Sequence, residues 1–221
     1  MQKLNPRKIK ETACDKLAEA WGFGALACIV YWVVSMIACI PQGSAPPNSR
    51  LQLLLTFIYL CLTPVLQFGF IACFYEIARS RKKLLKLLFV GFSNGFSYFF
   101  KVFLTTFLVG IFTTLWTCLL IIPGIIKWFS YAMTPFVLMD HPEYSPLQAI
   151  CESQKWMAGH RMELFKLMLH FWPWILLGFF TLGIAYLWVA PYMITAIAEF
   201  YLQLKEIQKV SANAKSVNSE N

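Results

Sequence analysis

The chain has 221 residues, of which 58% are hydrophobic, 17% aromatic and 14% charged, with a mean hydropathy of +0.59. Soluble domains carry about a quarter charged residues, so this deficit argues against an ordinary soluble domain, and the apolar residues come in long blocks rather than periodic faces. The net charge of +8 does not point to nucleic acid, because Lys and Arg sit mainly between the apolar blocks, as charge held on one side of a membrane does.

The N-terminal tail mixes Lys3, Arg7, Lys8, Lys10 and Lys16 with Glu11, Asp15 and Glu19. It has no adjoining h-region and no small-residue cleavage site, so no removable signal peptide is read and the first apolar block is an uncleaved anchor. Asn5-Pro6, an N-cap followed by proline at N1, opens an amphipathic surface helix with Ile9, Ala13, Leu17 and Ala20 on one face.

Six apolar spans follow, at about 21–40, 51–76, 98–122, 124–139, 163–181 and 183–204, against the roughly 20 residues a spanning helix needs. The stretch Pro41-Gln42-Gly43-Ser44-Ala45-Pro46-Pro47-Asn48-Ser49 is a loop between the first two. A second, more uniformly apolar surface helix is expected around Leu84–Phe92. From Phe99 to Met139 the apolar run has 41 residues; as one helix it would be about 60 Å long at ~1.5 Å per residue. It must fold back, and Pro123-Gly124 is the strong breaker in its middle. Ser145-Pro146-Leu147-Gln148 forms a capping box that starts a third surface helix ending at Gly159. The stretch 163–204 reverses near Thr181-Leu182-Gly183.

The expected fold is all-α and polytopic: about six transmembrane helices as three hairpins, each preceded by a surface amphipathic helix. It forms a single membrane domain, with an amphipathic segment at 1–20, a bundle at 21–204 and a disordered cytoplasmic tail at 205–221. An internal repeat supports three units. Phe92-Ser93-Asn94-Gly95 with Phe100-Lys101 is echoed by Trp156-Met157-Ala158-Gly159 with Phe165-Lys166, and Trp128 with Tyr131–Thr134 by Trp188 with Tyr192–Thr195.

Orientation follows from Lys and Arg between spans. The N-terminal tail holds five; Arg79, Arg81, Lys82, Lys83 and Lys86 follow span two; Lys155 and Arg161 follow span four; Lys205, Lys209 and Lys215 lie in the tail. Arg50 and Lys127 stand on the other side. Both termini are therefore expected in the cytoplasm. Of the seven cysteines, Cys39 and Cys118 fall near the expected outer face, but nothing else in the sequence supports a disulfide between them.

No nucleophile elbow, Walker loop or dinucleotide fingerprint is present. His141 and His160, with Asp140 and Glu143, match no zinc spacing and read as interfacial residues; His170 reads as a packing residue of span five. Asp140 and Glu143 lie in a proline-containing turn and read as solvated. Glu76, Lys101, Lys166 and Glu199 are more informative, because charge within a span is costly and by default marks a functional site. All four lie near cytoplasmic helix ends, where lysine snorkels, and they are expected to pair between hairpins. Prolines 64, 135, 173 and 191 lie inside spans and free backbone carbonyls there.

Ile121-Ile122-Pro123-Gly124-Ile125-Ile126, Tyr131-Ala132-Met133, Pro142, Ser145, Ala149-Ile150, Ser153 and Met157-Ala158-Gly159 stand in an order that continues through Leu164-Phe165-Lys166-Leu167, Phe171, Trp174, Gly183-Ile184, Pro191-Tyr192 and Phe200-Tyr201. This order resembles the bacterial domain-of-unknown-function 975 family, closely over about 84–204 and loosely in the first hairpin. His170 departs from the pattern, where a small polar residue is expected. The resemblance implies an integral membrane protein without known catalytic residues and assigns no site. The layout is also similar to the membrane domain that accompanies some glycerophosphodiester phosphodiesterases, a likeness of fold.

The expected function is that of a non-enzymatic membrane protein of a bacterial plasma membrane, binding membrane lipids or a membrane-protein partner, with no cofactor and no nucleic acid. The alternative is a small transporter or channel subunit, suggested by the kinked spans and edge charges. A lipid-modifying enzyme has only Asp140, His141 and Glu143 in its favour. In a cysteine-free background, an impermeant thiol reagent applied to intact cells should label Ser44→Cys and not Ser211→Cys. Labelling at 211 would reverse the orientation.

Overall fold

In a computed structural model, the residues described are 4, 6–18, 20–44, 46, 49–79, 85–93, 95–181 and 185–219. Asn5, Arg81, Lys82, Lys83, Asn94, Leu182 and Gly183, on which some of the sequence expectations fall, lie outside them. The protein is an all-α polytopic membrane protein, with no strand among the described residues. In chain order the helices are α1 (Pro6–Ala18), α2 (Trp21–Ser44), α3 (Arg50–Ala78), a 3-10 turn (Leu85–Phe89) running into α4 (Val90–Ser93), α5 (Phe96–Leu119), α6 (Ile121–Tyr131), α7 (Thr134–Asp140), α8 (Pro146–Trp156), α9 (Arg161–Phe180) and α10 (Tyr186–Ser219). Six stretches are long and apolar enough to cross a bilayer: Trp21–Ile40, Arg50–Ala78, Phe96–Leu119, Ile121–Asp140, Arg161–Phe180 and Tyr186–Val210.

The first hairpin runs past its expected limits, because α2 continues through Pro41 to Ser44, and Ser49 then caps α3 by accepting from the Gln52 amide at 3.1 Å. α3 is two helices in character. Every buried residue in it lies beyond Pro64, from Val65 to Ala78. The half before Pro64 presents Leu53, Phe57 and Leu60 outward, as a helix facing lipid does.

α1 seats Ile9, Ala13 and Leu17, all fully buried, against the bundle. α8 keeps the expected capping box, with Ser145 and Gln148 bonded reciprocally, and the chain turns after it through Gly159 at φ 90°. The middle element differs from expectation. Instead of an amphipathic surface helix, 85–93 turns back along α3, with Leu88 fully buried. Gly69 makes this possible: a Cβ there would lie 2.6 Å from the Leu88 carbonyl carbon. Gly91 is likewise pressed against the Val65 side chain.

The reversal between α5 and α6 also moves. It falls at Leu120, whose φ of −158° and ψ of 131° break the helix in one extended residue, and not at Pro123-Gly124. Proline costs nothing in the first turn of α6, because the first amides of a helix have no acceptor within it. The Gly124 amide already donates to the Leu120 carbonyl at 3.1 Å. Gly124 serves a different purpose, since a Cβ there would lie 2.7 Å from the Thr117 Cα and collide with its hydroxyl. Its absence lets α5 and α6 pack backbone to backbone. The last hairpin uses the same device, with Gly178 under the Tyr186 ring and the Tyr186 hydroxyl donating to the Ile175 carbonyl at 3.1 Å.

α10 does not stop at the expected tail. It is helical to Ser219, since 205–219 contains no glycine or proline and Leu204 and Ile207 still pack on the core. Gly124→Leu should destabilise the protein in detergent by about 1–3 kcal/mol, the cost of overpacking. Pro123→Leu should leave the melting temperature almost unchanged. Equal losses for the two would restore the turn to Pro123-Gly124.

Candidate functional site

The fourth span is not continuous. Pro135 has no amide hydrogen to give the Tyr131 carbonyl and its ring crowds that carbonyl. The chain therefore turns at Ala132-Met133 between α6 and α7 and restarts with Pro135 in the first turn of α7. Beside the break lies a cavity of about 310 Å³ bounded by α3, α5, α6, α7, α9 and α10. Its walls are mostly apolar and include Phe68, Phe129 and Phe136; its polar lining includes Gln67, Thr105, Thr106 and Thr134.

These polar groups differ in how they are satisfied. The Thr105 hydroxyl donates to the Lys101 carbonyl at 2.8 Å and that of Thr106 to the Val102 carbonyl at 3.1 Å, the usual back-bond of a helical threonine. Thr134, only 1% exposed, has no partner for its hydroxyl. The break explains this, because Thr134 begins a new helix and its back-bond acceptor, the Ser130 carbonyl, is taken by the buried Ser153 hydroxyl at 2.8 Å. Gln67, an exposed residue in the middle of α3, also lines the cavity. A second groove of about 540 Å³ runs between α3 and α5, past Leu60, Ile111 and Leu115. It shares Pro64 and Thr106 with the cavity.

Where α7 ends, Asp140 is buried, its side chain 3% exposed. Its Oδ1 accepts from the Tyr75 hydroxyl at 2.7 Å and faces Arg79 Nη1 at 3.2 Å. Its Oδ2 accepts from the Tyr201 hydroxyl at 3.0 Å and from the Lys205 ammonium. Tyr75 and Arg79 are four residues apart on α3, as Tyr201 and Lys205 are on α10, so each helix presents both donors on one face. Phe136 packs on both tyrosines, with ring centroids 5.5 Å and 5.4 Å away, the tyrosines meet each other edge to face at 5.7 Å, and Trp156 of α8 stacks on Tyr201. Phe136 also lines the apolar cavity, whereas Arg79 and Lys205 line a polar recess of about 370 Å³ together with Lys16, Glu199, Glu206 and Lys209.

The expected pairing of edge charges is not what forms. Glu199 pairs with Lys16 of α1 at 2.7 Å, and the same ammonium caps the Ala78 carbonyl at the end of α3 at 2.7 Å. Lys101 donates to the Pro142 carbonyl at 2.6 Å, Glu76 lies 3.9 Å from Arg79, and Lys166 is exposed on α9. The lysines of α5 and α9 miss the glutamates because α1 packs between α10 and the end of α3, and its Lys16 reaches Glu199 first.

Asp140 is also not the solvated turn residue expected. Glu143 is: it is exposed and lies 2.9 Å from His141 Nδ1. A hydrogen bond from its own backbone, and then His141, hold its carboxyl below the usual range. His160 lies 2.7 Å from Glu163, and no group of three metal-ligating side chains occurs among the described residues. His170 is exposed rather than packed. All seven cysteines, Cys39 and Cys118 included, are free. Lys127 lies inside its span, over the Trp116 ring and 3.5 Å from Gln154 of α8, whereas Arg50, the other opposite-side charge, is the first residue of its span.

Residues 118–208 match a family model described as Protein of unknown function (DUF975). That stretch of the chain is similar to the DUF975 family. No curated protein and no solved structure matches. The DUF975 stretch contains the helix break, Thr134, Asp140, Tyr201 and Lys205, whereas Gln67, Tyr75, Arg79 and Lys16 precede it. The site thus joins the DUF975-like stretch to the first hairpin and to α1.

Asp140→Asn should cost about 3–5 kcal/mol, the usual loss when one member of a buried ion pair is removed, measured by thermal unfolding in detergent. The loss should shrink in the Asp140→Asn, Lys205→Met double variant. Strict additivity would mean that the carboxylate and ammonium do not interact.

Proposed function

We propose that this chain is a non-enzymatic integral membrane protein of the bacterial plasma membrane, with both termini cytoplasmic, that binds lipid inside its helix bundle. The observation carrying this reading is the apolar cavity at the helix break and its continuation into the groove between α3 and α5. Cavities of some 300 Å³ or more with mostly apolar walls and a few polar groups are the usual form of a small-molecule site. This one lies within the spans, beside the exposed side chains of Leu60, Ile111 and Leu115, where the surrounding solvent is hydrocarbon. The basic segments at the end carrying α1 add attraction for anionic headgroups.

The same layout favours transport as the second reading. A broken helix lines the cavity, and Asp140 at the end of that span bonds Arg79 and Lys205 of the polar recess. Broken helices in transporters line substrate sites in this way.

Lipid extracted from the purified protein and identified by mass spectrometry tests the first reading. A Cβ at Gly110 meets nothing within 4 Å, so Gly110→Phe should fill the groove without forcing the backbone. The variant should keep its melting temperature and lose most of the co-purifying lipid. Equal lipid content in the two proteins would remove the lipid reading. Solute uptake into proteoliposomes that stops in Gly110→Phe would favour transport instead.

A further inference from the structure

The cavity holds two polar groups that its own walls leave unanswered. The Thr134 hydroxyl is buried without a partner, and Gln67, an exposed residue that lines the cavity, has no hydrogen bond among the described residues. Within hydrocarbon an unsatisfied polar group costs several kcal/mol. Thr134 lies six residues before Asp140 and Gln67 eleven before Ala78, about 9 Å and 16 Å along their helices at 1.5 Å per residue. Both therefore stand inside the hydrocarbon layer rather than among headgroups. A hydroxyl and an amide NH2 are both donors, and no charged side chain lines the cavity.

We propose that the cavity binds the head of a neutral lipid through a carbonyl oxygen that accepts from Thr134 and Gln67, while the lipid's apolar tail lies in the groove between α3 and α5. A phospholipid headgroup would bring a charge that this lining cannot pair. A hydrocarbon chain alone would leave both donors unmet. A carbonyl carried by an otherwise apolar molecule answers both requirements. The groove supplies the entry: it meets the cavity at Pro64 and Thr106, where the lipid-facing half of α3 gives way to its buried half.

This inference rests on the lipid-binding reading but fails separately from it. Two neutral carbonyl lipids serve as probes, the isoprenoid quinone menaquinone-4 and the ester lipid dioleoylglycerol. Each is titrated into wild-type protein, Thr134→Val and Gln67→Leu in phosphatidylcholine nanodiscs, with binding read by native mass spectrometry. The wild type should bind at least one probe, and each substitution should weaken that binding about five- to tenfold, the loss of one hydrogen bond in an apolar site. Binding of the quinone alone, of the ester alone or of both identifies the carbonyl source, and each outcome supports the site. Thr134→Val removes a buried hydroxyl that has no partner, so the unliganded variant should melt no lower than wild type, which separates lost binding from lost fold. If neither probe binds, or both variants bind as wild type does, the carbonyl site is wrong. Lipid retention blocked by Gly110→Phe would then still stand by itself.

Discussion

One carboxylate, that of Asp140, brings four donors from two distant helices to a point. Tyr75 and Arg79 approach it from α3, and Tyr201 and Lys205 from α10. A buried carboxylate is tolerated only when its lone pairs are fully engaged, so the positions of α3, α7 and α10 at this end depend on one another. The tyrosine rings bring apolar bulk with their hydroxyls and pack against Phe136, which lines the cavity. Lys16 extends the arrangement to α1 by joining Glu199 to the last carbonyls of α3.

The cavity follows from a conflict that this lock holds in place. Pro135 removes a backbone bond that a continuous fourth span would use, and the lower part of that span is anchored at Asp140. The upper part is held close to α5 by the missing Cβ of Gly124. Between two fixed ends the break cannot close up, and space remains where a straight helix would have packed. The hydroxyl of Thr134 is stranded by the same geometry, at the first residue of the restarted helix.

Most of the architecture was legible in the chain. Apolar length, the impossibility of a 60 Å helix, and the capping box at Ser145 located the hairpins and α8. The exact turn was not legible, because proline reads as a breaker although it is also at home in the first turn of a helix. The 85–93 segment was misread as a surface helix because only the structure reveals what Gly69 admits. Asp140 reads as a solvated turn residue because its partners lie 61 to 65 residues away in sequence, while its neighbours His141 and Pro142 suggest an exposed turn. One local signal was available: Phe-Tyr followed four residues after the tyrosine by Arg79 or Lys205, at the same end of two spans. Gln67 was passed over among the polar residues of the spans, although a glutamine in the middle of an apolar run carries the same warning as a charge.

The link between Lys16 and Glu199 spans 183 residues, and it has a consequence for how the protein is made. At about 5–20 residues per second of synthesis, α1 waits roughly 10–40 s after it is made before its glutamate exists. During that interval Asp140 has only Tyr75 and Arg79 of its four donors, since Tyr201 and Lys205 are translated 61 and 65 residues after it. Lys16 can already cap the Ala78 carbonyl, so the early spans enter the bilayer with a half-engaged carboxylate and a lysine that still lacks its counter-charge. A chain that stops short of α10 keeps both defects.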